Sequence, residues 1–223
     1  VKCNVKDSVL NSDSSYGDIA GIIAKIDKEY GMSNDSNPIL SVVSCEVNNA
    51  KASGGIGSGI AYMVRMNGTI IVKNSKFISS KIQTQSNFGG MLGYSSENKS
   101  VLIDGCNLKD INITNSNRTD NFGGMVGYLD QKGNTLKVIN SSVDDCTFDV
   151  NGSYANAGIV GTNEGDYTRI NNISINNMKL YAGNVTSGVM AYAVKDAEIS
   201  DINVSNSEIS SNKSSSYYIN TIG

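Results

Sequence analysis

The side chains able to do chemistry are few, and what is missing narrows the choice first. The chain has no His and no Trp. Without an imidazole there is no Ser-His-Asp triad, no Cys-His pair, no HExxH zinc helix and no Cys2His2 finger. Cys3, Cys45, Cys106 and Cys146 remain, as a disulfide framework, a metal site or buried thiols. No two of them lie close in sequence and no His joins them, which speaks against zinc. Asp104, Asp144, Asp145 and Asp201 are candidates for calcium binding or for flanking a glycosidic bond. Asp is equally a turn former. Tyr62, Tyr94, Tyr128 and Tyr192 each offer an apolar ring face and a hydroxyl, the combination that grips a glycan chain.

The composition says what kind of scaffold must hold these groups. Of 223 residues, 39% are hydrophobic and 17% charged, with 29 Asn, 31 Ser, 23 Gly and one Pro. The length suits one domain with a real core. A formal charge of −3 and a pI near 5.0 argue against nucleic acid as a partner. The most apolar run, at 60–66, contains Arg65 and falls far short of the roughly 18 residues a membrane helix needs, so no membrane insertion is expected. The opening Val1-Lys2-Cys3-Asn4 has no apolar stretch behind it and does not resemble a signal peptide.

Internal repetition is the strongest signal. FGGMLGY at 88–94 and FGGMVGY at 122–128 differ at one position. Weaker copies begin at Gly21, Gly59, Gly158 and Gly188, with Asn220 as a last, cut-short mark. The mark returns about every 33 residues, a solenoid period. A second element lies between the marks: apolar, any, polar or small, then Cys, Ser or Met, any, apolar. It reads 42–47, 72–77, 103–108, 143–148, 175–180 and 204–209. In that alignment Cys3, Cys45, Cys106 and Cys146 share one inward position with Ser75, Met178 and Ser207. A position that accepts Cys, Ser and Met favours buried free thiols, with Cys3–Cys45 and Cys106–Cys146 as the disulfide pairs that adjacent coils would allow. The four tyrosines also share one position, with Thr162 as the exception, and structural stacking is the simpler reading of that row. Phe88 and Phe122 form a second, shorter one.

Alternating apolar and polar residues, as in Ile173-Ser174-Ile175, mark short strands, with Asn, Asp, Ser and Gly at the bends. Three short strands per turn describe an all-β parallel β-helix, a β-solenoid of six to seven coils. Ile19, Ile22, Ile23 and Ile26 sit at helical spacing, but the Gly21 register argues for strand there. The extra residues between Ala24 and Ile39, including Pro38, read as an insertion loop. The whole chain, 1–223, is expected to be one solenoid domain, cut mid-repeat at both ends and continued by neighbouring domains.

The GGMVGY-type element followed by Asp-Cys-x-Phe, here Asp145-Cys146-Thr147-Phe148, resembles the GLUG repeat of bacterial surface and secreted proteins, found also beside the protease domains of immunoglobulin A proteases. The resemblance implies a right-handed β-helix, an extracellular setting and no catalytic residue in the repeat. The expected function is a non-catalytic structural or adhesive module that binds a host-surface protein or glycan, with no metal and no cofactor. Alternatives are a polysaccharide lyase or hydrolase on the same scaffold and a substrate-orienting region of a surface protease. Two or three carboxylates converging with Arg or Lys would mark an enzyme, and no coil is chemically unusual. The eleven Asn-x-Ser/Thr sequons, Asn67 and Asn112 among them, follow from the composition.

Overall fold

A computed structural model describes residues 2–11, 19–27, 37–85, 87–115, 121–130, 133–150, 154–211 and 218–220. Apolar residues at alternate positions commit one face of each strand to the interior, and short strands joined by bends let the chain return on itself once per turn. Successive turns then pair strand on strand, parallel and in register, for example Thr69–Lys73 between Ile39–Val43 and Ser100–Asp104. The result is an all-β solenoid of about five turns. Among the described residues there is no helix, and so none long and apolar enough to cross a membrane.

Five ladders of stacked segments run along the solenoid, finer than the three strands per turn expected. Ladder A holds Ile39–Val43, Thr69–Lys73, Ser100–Asp104 and the first halves of Thr135–Asp144, Tyr167–Asn176 and Asp196–Ser205. Ladders B and C follow, each after a sharp corner, so that Lys76–Thr84 and Asn107–Asn115 serve B with their first residues and C with their last. Ladder D runs from Ile19–Ala20 to Tyr218–Asn220 in seven strands. Ladder E, from Ile23–Asp27 to Met190–Ala193, has six, and its five steps count the turns. The expectation of six to seven coils counts Asn220 as a seventh mark and counts marks rather than turns; the six glycine marks from Gly21 to Gly188 enclose five turns.

The glycine marks do stack. Each of Gly21, Gly59, Gly90, Gly124 and Gly158 lies against the carbonyl of the next mark, so closely that a Cβ on Gly124 would sit 2.0 Å from the Gly158 oxygen. Asn220 departs from the row: it pairs with Ser187 and not with Gly188. Ile19–Ala20 and Ile23–Asp27 are strands, as the Gly21 register predicted. Of the expected insertion, residues 28–36 lie outside the described residues.

The second element proves to be two corners, not one. Ladder A meets B at Ser44, Asn74, Gly105, Asn140, Asn172 and Asp201; B meets C at Asp7, Asn49, Ser79, Asp110, Asp145, Asn177 and Asn206. All have φ between 48° and 64°, the left-handed region that Asn, Asp and Gly tolerate best. Side-chain amides link neighbours along each column. Asn172 Nδ2 donates to Asn140 Oδ1 at 2.9 Å, and Asn177 Nδ2 to Asp145 Oδ1 at 2.9 Å.

The residue after each corner points inward, which places Cys3, Cys45, Ser75, Cys106 and Ser141 in the first column. Ala50, Ser80, Ile111, Cys146, Met178 and Ser207 form the second. Cys106 and Cys146 therefore do not share a position. Cys106 faces Ser75 and Ser141, and Cys146 faces Ile111 and Met178. Only Cys3 and Cys45 are rung neighbours; the Cys3 backbone N–H donates to Cys45 Sγ at 3.3 Å, and none of the four cysteines forms a disulfide.

Serine and cysteine suit these positions because they bracket the bend. Ser141 Oγ donates to the Ile139 carbonyl at 2.7 Å and accepts the Cys106 N–H at 3.0 Å. Ser80 does the same for Ile78 and Ala50. Each bracket satisfies backbone groups that the corner would otherwise leave unpaired in the interior.

One packing contact explains why two corners looked like one element. Across the interior each glycine mark leaves room for a bulky side chain from the opposite wall: Val47 at Gly21, Phe77 at Gly59, Leu108 at Gly90, Phe148 at Gly124 and Met178 at Gly158. In the first three the bulky residue follows the first corner, and in the last two it lies at or beyond the second. The apparent repeat followed this filler across the corner. Phe77, Phe88, Phe122 and Phe148 are all fully buried, with Phe122 stacked on Phe88 at 5.8 Å and tilted against Phe148 at 5.0 Å.

Candidate functional site

The outward side chains of ladder E form a row that includes three of the four tyrosines. Strand register aligns Met63, Tyr94, Tyr128, Thr162 and Tyr192. Tyr62 is the correction. It lies three residues after its glycine mark where the others lie four, so Met63 takes the rung and Tyr62 aligns with Gly93. Its ring fills the space above Gly57 and Gly93, where added Cβ atoms would lie 1.7 Å and 2.5 Å from it, and it is buried.

Tyr62 nevertheless reaches the same surface. A groove follows the edge between ladders E and D in two clefts that share Asn87. One, of about 350 Å³, is lined by Tyr62, Met63, Arg65, Asn87, Tyr94 and Ser96. The other, of about 460 Å³, is lined by Asn87, Asn121, Tyr128, Tyr154, Thr162, Glu164 and Tyr192. All four predicted tyrosines thus belong to one groove, although not to one row. Tyr154 was not foreseen. It stands one residue before the ladder D strand Ala155–Ala157, outside both repeated elements, and only the folded coil brings its ring to 6.2 Å from that of Tyr192.

The tyrosines differ in freedom. Tyr94 and Tyr128 pack 5.6 Å apart, tilted by 52°, and each leans on the next coil. Tyr94 donates its hydroxyl to Asp130 Oδ2 at 2.9 Å, and Tyr128 to Glu164 Oε1 at 2.9 Å. Burial first, and then these carboxylates, push both phenols above the usual tyrosine range, so they remain protonated donors. Tyr154 and Tyr192 are the exposed pair, at 54% and 39%. Polar residues complete the larger cleft: Thr162 Oγ donates to Asn121 Oδ1 at 2.7 Å, and Asn121 donates from its backbone and side chain to Asn87 Oδ1 at 3.0 and 3.1 Å.

The four candidate aspartates are dispersed, whereas Asp27 and Glu97 both lie at Arg65, 2.7 Å and 3.9 Å away. Asp145 and Asp201 occupy corners, with φ 54° and 53°, and bond to Asn177 and Asn171. Asp104 and Asp144 each precede a corner; Asp104 pairs with Lys73 at 3.2 Å and Asp144 accepts from Asn107. Among the described residues no three of Cys, Asp and Glu gather as metal ligands. Arg65 is held by Asp27 at 2.7 and 2.9 Å, Arg169 lies 3.7 Å from Glu198, and Arg118 is outside the described residues. No family model, curated protein or solved structure matches the chain, so the likeness to the GLUG repeat rests on the segments at 88–94, 122–128 and 145–148 themselves.

Proposed function

We propose that the chain is a non-catalytic β-solenoid module of a secreted or cell-surface protein, which binds a host-surface glycan or protein along one edge. The observation that carries this reading is the groove, which gathers five tyrosines, a hydrogen-bonded run of Asn87, Asn121 and Thr162, and Glu164 along one edge, while Asp104, Asp144, Asp145 and Asp201 stand apart at or beside separate corners, tied to Asn and Lys. Binding by such a surface is geometric: the coils hold the rings at fixed heights, and little entropy is lost when a ligand lies along them. The GLUG-like segments support a bacterial surface setting, with the solenoid as stalk or adhesive element beside other domains.

Beads carrying the protein, presented to plates coated with glycoproteins and extracellular polysaccharides, test the reading. Retention without release of shortened sugar chains from uronate polymers is expected. Product release would support the lyase or hydrolase alternative, and failure to bind any coated surface would count against an adhesive role.

A further inference from the structure

The tyrosine row of ladder E is closed along most of its length and open at one rung. Tyr94 and Tyr128, one rung apart, already touch at 5.6 Å and admit nothing between them. Tyr128 and Tyr192 stand two rungs apart, about 9.6 Å at the usual spacing of stacked strands, because the rung between them is Thr162. Tyr154 stands beside that rung, and the cleft of about 460 Å³ that Tyr128, Tyr154, Thr162, Glu164 and Tyr192 line leaves room for one saturated six-membered ring.

The chemistry around that opening is mixed in a particular way. Thr162 forms the floor and is 3% exposed; its hydroxyl is already committed to Asn121. Tyr154 and Tyr192, the exposed tyrosines among the described residues, supply apolar ring surface. Glu164 spends one carboxylate oxygen on the Tyr128 hydroxyl and has a second with which to accept. Asn87, whose carbonyl oxygen is taken by Asn121, has an amide NH2 with which to donate. Aromatic faces beside one acceptor and one donor match the C–H face and hydroxyl rim of a pyranose. An apolar peptide side chain would leave the amide and carboxylate unpaired, and a uronate would meet Glu164 with like charge.

We propose that the Thr162 notch, between Tyr128, Tyr154 and Tyr192, is the subsite for one neutral hexopyranose ring of a longer glycan. This deepens the surface-binding reading above and rests on it. Thr162→Tyr is the sharpest test, because it supplies the missing rung and closes the notch while removing no aromatic ring. If the tyrosine row bound ligand merely as a stripe, the same change would strengthen binding.

The experiment measures the wild-type chain, Thr162→Tyr and Glu164→Gln on an array of neutral hexose and N-acetylhexosamine oligosaccharides beside uronate oligosaccharides, with a thermal melt of each protein. The wild type is expected to bind neutral oligosaccharides, Thr162→Tyr to lose at least tenfold while keeping a cooperative melt, and Glu164→Gln to lose several-fold. Should Thr162→Tyr fail to fold, Tyr154→Ala and Tyr192→Ala are each expected to lose at least tenfold. Wild-type affinity in the folded variants overturns the subsite and leaves the module reading standing. Binding to uronates alone, or to no oligosaccharide, also overturns the subsite; the module reading falls only if the bead assay is negative too.

Discussion

Asn172 is held at φ 53°, where most side chains are strained and glycine is not. Asn172→Gly is therefore expected to cost only a few tenths of a kcal/mol and Asn172→Val about 2 kcal/mol, read from urea unfolding midpoints; equal costs would mean that the left-handed corner is not what selects the residue. The glycines separate two effects in the same way. Gly133→Ala meets nothing within 4 Å and strains only the backbone at φ 90°, whereas Gly124→Ala drives a Cβ into the Gly158 carbonyl. The first should cost about 1 kcal/mol and the second well over 3 kcal/mol, or folding itself. The buried thiols make a statement about pH. Burial first raises Cys106 to about 11 and Cys146 to about 12 from 9.0. Their protonated forms favour the fold in full below the unfolded value, and that contribution is lost as pH rises from about 9 toward about 12. A Cys106→Ser, Cys146→Ser variant should lose less stability than the parent between about pH 8 and about pH 10.5; identical losses would contradict the buried-thiol assignment.

At the scale of the element, what was legible in the sequence depended on how unambiguous each signal was. The glycine marks were readable because no other residue fits between stacked carbonyls, and the strands because alternation has a fixed period of two. The corners misled. Two bends per turn, five residues apart, carry the same pattern of apolar, bend former, small, apolar, so Cys106 aligned with Cys146 although its partner is Ser141. Tyr62 failed for a related reason: a one-residue offset from the glycine mark turns a side chain to the other face of its strand. Tyr154 carried no repeated signal at all. The core elements themselves depend on the phenylalanines, whose stack bridges three turns through Phe88, Phe122 and Phe148. Phe122→Ala is expected to cost about 3 to 5 kcal/mol in denaturant unfolding, and a cost under 1 kcal/mol would show that the stack is not central.

For the whole molecule, each coil contacts only its neighbours, so stability is shared unevenly along the axis. The middle turns bury their apolar side chains completely, whereas Ile199, Ile202, Val204 and Ile209 at one end and Cys3, Val5 and Leu10 at the other are only partly buried. Hydrogen exchange should be slowest in Ser100–Asp104 and Thr135–Asp144 and fastest in Asn4–Lys6 and Glu208–Ser211; uniform protection would contradict a repeat-by-repeat structure. On the proposed function the surface is the working part, with the stacked coils fixing the height of each ring of the groove. Bead retention on glycan-coated plates by a Tyr94→Ser, Tyr128→Ser, Tyr154→Ser, Tyr192→Ser protein tests this most directly, with its β-sheet circular dichroism as the check on folding. Loss of retention with the sheet signal kept is the predicted result, and retention equal to the parent would contradict a function carried by this edge.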